Sequence, residues 1–319
     1  MLSAAGVLQQ VAATGYRFTT TTPLTHHRVL ARRGRETGIT LRDIFGWNLP
    51  FEAGAVPAAL LAEMEHAGIL GRSGPLWRST VRIATIDDDL FFHSAYPTVE
   101  ANAVFFGPDT YRFVRFIRHA LQQRSTPALA GGTTVRVLDV GCGSGAGGIA
   151  AARALAAAGT AATLVMNDIN PLALQFTAVN ADVAGIPVML AQGDALSAVE
   201  GEFDLIVSNP PYLDDAAQRA YRHGGARLGR ALSVRIAAES LRRLAPGGQL
   251  LLYTGVAIVD GEDAFLADMR PLLVASGCEW SYAEIDPDVF GEELERPVYA
   301  HIDRVAAVGL IAVRTPEAA

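Results

Sequence analysis

Lysine is absent from this chain. All 26 basic residues are arginine, which closes every mechanism that requires a lysine nucleophile or a Schiff base. Cysteine is nearly absent as well. Cys142 and Cys278 stand far apart, in no CxxC or Cys/His spacing, so neither a disulfide framework nor a metal site is implied and a reduced, cytoplasmic setting is expected. No apolar run reaches the roughly 18 residues that a membrane span needs. The start, MLSAAGVLQQVAATGYRF, lacks a charged leader with a long apolar core, so neither a span nor an export signal is expected. Positive charge is in deficit. A net charge of −7 and a pI near 5.5 disfavour tight, sequence-independent binding to nucleic acid, which depends on neutralising phosphates with basic side chains.

Apolar residues are plentiful: 50% of 319 residues suffices for one large domain and a smaller one. Residues 1–98 read as the smaller. Thr40, with Asp43 three positions on, signals a capping box opening a short helix, LRDIF. A second helix runs from Pro57 to a stop at Gly68, with Leu60, Leu61, Met64 and Ala67 at helical spacing. WRSTVRIATIDDDLFFHSA then reads as a hairpin turning at Asp87 to Asp89, with Val81 and Ile83 on one face and Thr80 and Arg82 on the other. Helix, helix, hairpin is the order of a winged-helix module. A DNA-reading version would carry arginine on its second helix. This one carries Glu63 and Glu65, so a packing or substrate-recognition role is expected. The basic cluster Arg28, Arg32, Arg33, Arg35 and Arg42 reads as a solvated face.

Residues 99–319 have another character. A helix from Thr110 places Phe113, Phe116, Ile117 and Leu121 on one stripe, and QQRSTPALAGGTT follows as a loop. The apolar strands VRVLDV, TLVMN, PVMLA, FDLIVS and QLLLYT then alternate with helical segments, the pattern of a parallel sheet covered on both faces. The expected fold class is α/β: a doubly wound, Rossmann-like sheet with a smaller winged-helix-like domain before it. Such sheets bind ligands at the carboxyl ends of their strands, where Asp139, Asp168, Asp194 and Asn209 fall.

The loop from Gly141 to Gly148, GCGSGAGG, follows the first of these strands and opens a helix. It contains GxGxxG, with Asp168 a further 20 residues on, which is also the fingerprint of a dinucleotide site. Asp139 decides between cofactors. A dinucleotide sets its pyrophosphate at the helix N-terminus, where donors and the helix dipole favour negative charge, and a carboxylate beside it would repel that phosphate. S-adenosylmethionine has no phosphate, and its ammonium suits Asp139, directly or through water. Gly141, Gly143 and Gly145 form the turn. Asp168, with its neighbour Ile169, suits the ribose hydroxyls, and Asp194, followed by Ala195, suits the adenine amine. DxGxGxG followed by two strand-end acids resembles the class I S-adenosylmethionine-dependent methyltransferases, over roughly residues 99–319.

NPPY, from Asn209 to Tyr212, ends the fourth strand because neither proline can donate to a ladder. At this place it resembles the amino-methyltransferases that modify a planar nitrogen, including the release-factor glutamine N5-methyltransferases and the adenine N6 and guanine N2 enzymes. An amide or exocyclic amine has a delocalised lone pair and is a poor nucleophile. The Asn209 side-chain carbonyl and the Pro210 backbone carbonyl can each accept one N–H and orient that nitrogen, while Tyr212 stacks on the planar group and excludes water. Pro108, Asp109 and Thr110 match the PxPxTE-type segment of the glutamine enzymes, but Tyr111 stands where the family has an acid. Asp109 reads equally as a helix N-cap and as a group over the cofactor. Tyr221 and His223 precede two glycines in a loop able to close over substrate, and Pro108, Tyr212, Tyr221 and His223 are the candidate substrate contacts.

The acceptor stays open among a protein glutamine amide, a small molecule and, against the charge balance, a nucleic-acid amine. Attack on the cofactor's aminocarboxypropyl chain is a rarer variant, and a cofactor-sensing regulator is the non-enzymatic alternative. A homodimer is the pairing that such an accessory domain would serve.

Overall fold

Short helices and hairpins come first, and the long apolar strands follow. The computed structural model describes residues 4–34, 36–123 and 134–316. Two helices open it, α1 (Ala5–Ala13) and α2 (Pro23–Ala31), the second capped by the Thr22 side chain, which accepts from the Thr25 N–H. At LRDIF there is a single π turn, Arg42–Gly46. Thr40 and Asp43 make the expected reciprocal pair: Thr40 Oγ1 accepts from the Asp43 N–H at 3.2 Å, and Asp43 Oδ2 accepts from the Thr40 N–H at 3.1 Å. Then come α3 (Ala58–His66), a hairpin of β1 (Leu70–Ser73) and β2 (Leu76–Ser79), and a second hairpin of β3 (Val81–Ile86) and β4 (Asp89–Ser94).

The structure departs from the sequence reading here in two ways. Trp77 to Ser79 belong to the first hairpin rather than to the strand that follows. All six residues of β3 are buried, so Arg82 lies inside: its Nε donates to the Gly46 carbonyl at 2.9 Å and its guanidinium sits 5.8 Å from the Phe18 ring. The chain segment around Phe18 covers the face that alternation assigns to solvent. Most of the QQRSTPALAGGTT loop, and Arg35, lie outside the described residues.

From α4 (Pro108–Gln123) onward the elements alternate: β5 (Val135–Val140), α5 (Ala146–Ala157), β6 (Ala162–Asp168), α6 (Pro171–Val183), β7 (Val188–Gln192), β8 (Phe203–Ser208), α7 (Ala231–Leu241) and β9 (Leu244–Val259). The chain closes with β10 (Glu262–Asp263), α8 (Ala264–Ser276), β11 (Glu279–Asp286) and β12 (Arg304–Val313). In the central sheet the order is β7-β6-β5-β8-β9-β12-β11, with β10 beside β9. Strands β5 to β9 pair in parallel, and β12 runs antiparallel to both β9 and β11. Strand order reverses at β5, whose neighbours are β6 on one side and β8 on the other. A crevice therefore opens at its carboxyl end, where the glycine turn lies. No helix among the described residues is long and apolar enough to cross a membrane.

Packing is continuous past residue 98. Ala84, Ile86 and Phe91 share a core with Val135, Val137 and Leu205, while Ala173, Phe176 and Val179 of α6 pack among the apolar residues of the first hundred. Asn180 joins the two sides. Its Oδ1 accepts from the Phe92 N–H at 2.8 Å, and its Nδ2 donates to the Ser144 carbonyl of the glycine turn at 2.9 Å and to the Phe92 carbonyl at 3.2 Å. An unpaired buried polar group costs about 1–3 kcal/mol. Asn180→Ala is therefore expected to lower unfolding free energy by about 2–4 kcal/mol, read from the denaturant midpoint; an unchanged midpoint would show that water replaces the amide at no cost.

Candidate functional site

A cavity sits at the carboxyl ends of β5, β6 and β8. It gathers residues from the glycine turn, from the ends of these strands, from the N-terminus of α4 and from the loop after β8. Gly141, Gly143 and Gly145 all have positive φ, at 71°, 56° and 81°, a region that L side chains avoid. Gly147 needs its missing side chain for another reason: a Cβ there would lie 2.5 Å from the Phe113 ring. The turn thus swings tightly from β5 into α5 and leaves its backbone facing the cavity.

Asp139 is 1% exposed, and its Oδ2 accepts from the Gly148 N–H at 2.7 Å. Burial pushes its carboxyl up to about 7, against the Gly148 bond, which lowers it; nearby Asp168 adds a smaller upward push. Asp168 accepts from the Gly143 N–H at 2.9 Å and the Asn170 N–H at 2.8 Å, and burial raises its carboxyl above the ordinary range. Ile169 is 56% exposed and lies along the cavity wall. Asp194 and Ala195 line the same wall. Both Asp194 oxygens are held by Arg235 of α7, at 2.8 and 2.6 Å, and this bond lowers its carboxyl. The sequence reading contained no such partner.

Asn209, Pro210 and Tyr212 face the cavity together. Asn209 Oδ1 is buried and accepts no hydrogen bond from any described residue. Tyr212 is fully packed. Its ring covers Gly255 of β9, where any Cβ would collide with it, and meets Phe290 edge-on at 5.8 Å. Its hydroxyl donates to Asp109 Oδ2. Tyr253 donates to Asp109 Oδ1 at 3.0 Å, and Arg112 Nη1 reaches the same oxygen at 3.1 Å while its Nη2 pairs with Asp286 at 2.9 Å. Burial raises Asp109, and the two tyrosine bonds and Arg112 oppose that rise. Asp109 is thus a buried junction beside the cavity, and more than the helix cap that its position after a proline turn suggests.

Pro108 and His223 lie outside the cavity. Pro108 is the first residue of α4, and its successors Asp109 and Thr110 face inward instead. His223 is turned into its own loop, where Nδ1 accepts from the Asp215 N–H at 3.3 Å and its backbone bridges to Leu213. Tyr221 does line the cavity, parallel to Phe105 at 6.1 Å, with its hydroxyl on the Thr98 carbonyl at 2.8 Å. Phe105, Asn167, Arg235 and Tyr253 were missed in the sequence. A tyrosine inside the apolar run QLLLYT was the one available signal, since a buried hydroxyl needs a partner.

Residues 121–257 match the model of the methyltransferase small domain. That stretch, from the end of α4 into β9, is what the chain shares with methyltransferases. Among its relatives, the release factor glutamine methyltransferase of Deinococcus radiodurans is 32% identical over 208 residues, covering 61% of this chain and 66% of that protein. The enzyme of the same name from Koribacter versatilis is 35% identical over 169 residues, 49% of this chain and 55% of that one. The ribosomal RNA small subunit methyltransferase C of Haemophilus influenzae is 37% identical over 87 residues, covering 27% and 25%. The chain thus spans less than two thirds of the length of these relatives.

Removing the Asp109 carboxylate leaves two tyrosine hydroxyls and a guanidinium without their shared acceptor. Asp109→Ala is expected to cost about 3–5 kcal/mol, and Asp109→Asn clearly less; equal denaturation midpoints for the two variants would refute the charge-centred account.

Proposed function

We propose that the chain is an S-adenosylmethionine-dependent methyltransferase acting on a planar nitrogen, with a protein glutamine amide as the acceptor. One observation carries this reading: Asn209 Oδ1, buried at the cavity wall without a donor among the described residues. A buried carbonyl in that condition costs free energy unless an N–H arrives, and an amide NH2 supplies one.

The donor set fits the cofactor. Asp139 faces the cavity as an acid that burial pushes up to about 7, and an ammonium beside it would favour the carboxylate. Asp168 keeps lone pairs for the ribose hydroxyls beside the exposed Ile169, and Asp194 keeps them for the adenine amine although Arg235 holds both its oxygens. When bound, S-adenosylmethionine supplies an electrophilic methyl on a cationic sulfur. Asn209 and the Pro210 carbonyl accept the two N–H groups of the acceptor and turn its lone pair toward the cavity. Tyr212, immobilised by Asp109, covers the flat face and keeps water out. The nitrogen sheds its proton to solvent after the new bond forms, so no strong base is required. Alignment is the main contribution, and positioning can supply up to about 7–11 kcal/mol. The names of the Deinococcus and Koribacter relatives support a glutamine amide over the other acceptors.

Asn209→Ala is expected to fold and bind cofactor normally while turnover falls by about 100-fold or more, the scale seen when one precisely placed polar group is lost. Incubation with labelled S-adenosylmethionine and fractionated lysate supplies the acceptor for that assay, and label entering RNA or small molecules instead of protein would overturn the acceptor class. A second expectation follows from Asp139. Its folded-state value lies above the unfolded one, so the stability it contributes is present at acid pH and is lost as pH rises from about 4 to about 7. A bound ammonium favours the carboxylate, so cofactor affinity is expected to increase between about pH 6 and 8. Calorimetric titration should show this rise in the wild type and a flat profile in Asp139→Asn.

A further inference from the structure

A second concavity, of about 710 Å³, shares no residue with the methyltransferase cavity and lies between α4 and the segment around Phe18. Four arginines line it: Arg17, Arg42, Arg115 and Arg118. Asp88 pairs with Arg17 and Asp87 with Arg118. Arg42 and Arg115 are exposed and have no carboxylate partner among the described residues. Between the arginines the wall is apolar and aromatic, with Phe18, Trp47, Val114 and Tyr111. Arg82, 4% exposed, lies beneath the Phe18 ring, likewise without an ion pair among the described residues, and adds a positive field from below.

The geometry points to this groove as a docking site for an acidic peptide segment of the protein acceptor, with its carboxylates on Arg42 and Arg115 and an apolar side chain against Trp47 and Tyr111. The proposal rests on the reading of the acceptor as a protein. Charge complementarity carries it: the chain is at −7 overall, yet this concavity keeps two arginines with no carboxylate partner among the described residues above a third, buried one. The volume far exceeds one phosphate or carboxylate, and its apolar wall suits side chains. A nucleic-acid strand would call for a longer row of unpaired cations than two.

The faces of α4 connect the two sites. Asp109, Thr110 and Phe113 face the methyltransferase cavity, whereas Tyr111, Val114, Arg115 and Arg118, at i, i+3, i+4 and i+7, face the groove. The two sites thus lie on different faces of one helix. Tyr111 occupies the position where the resembled glutamine enzymes carry an acid. Here it accepts from the Thr20 N–H at 3.0 Å and presents no negative charge to an arriving carboxylate.

The test uses the full chain and a fluorescein-labelled octapeptide alternating Glu with Leu and Phe, followed by anisotropy, with an Arg-for-Glu peptide and a single-stranded RNA decamer as comparisons. Binding of the acidic peptide, weakened about tenfold or more in Arg42→Glu/Arg115→Glu and weakened less in Arg42→Ala/Arg115→Ala, is the expected result. Absence of binding, binding insensitive to both double variants, or tighter variant-sensitive binding of the RNA would each overturn the proposal. Calorimetric titration of both variants with S-adenosylhomocysteine should match the wild type, which shows that they are folded. A failed groove would leave the Asn209→Ala result standing, and a failed Asn209→Ala result would leave the groove standing.

Discussion

One buried carboxylate organises the working end of this protein. Asp109 receives the hydroxyls of Tyr212 and Tyr253 and the guanidinium of Arg112, whose other nitrogen reaches Asp286. Three separate stretches of chain therefore meet at one acceptor, the start of α4, the loop after β8 and the strand β9, and Arg112 ties in a fourth, the end of β11. A buried charge is tolerated only when paired and hydrogen-bonded, so these stretches cannot move apart independently. Tyr212, on the cavity wall, is held from behind by a group that itself needs the tyrosine. Gly255 completes the arrangement by leaving room for the ring.

The same logic governs the other end of the cavity. The glycine turn holds its shape because three of its residues sit at positive φ and because Asp139, Asp168 and Asn180 accept from, or donate to, its backbone. Hydrogen bonds that fix the turn also consume part of the capacity of those side chains. What remains faces the cavity: one acid raised by burial, a second with spare lone pairs, and a third tied to Arg235.

The sheet was legible because its strands are unbroken apolar runs, and the strand-end acids stood out because polar residues in those places have no packing explanation. VRVLDV and FDLIVS became β5 and β8 with the residue bounds read from sequence. The partners of the acids were not legible. Asp109 and Tyr212 are 103 positions apart and Asp194 and Arg235 are 41 apart, and nothing local marks either pair. In the first hundred residues, alternation along β3 suggested a solvated face that the Phe18 segment in fact covers. His223 illustrates a different limit: a polar residue in a glycine-rich loop can serve the loop as well as a ligand, and its backbone bridge to Leu213 put it to the first use.

Asn180 bonds the hairpin residue Phe92 and the glycine turn at once. Exchange of the leading block for an unrelated module would strand that amide beside the turn and bare the apolar side of α6. A disturbance at the hairpin is thus transmitted to the glycine loop through a single side chain.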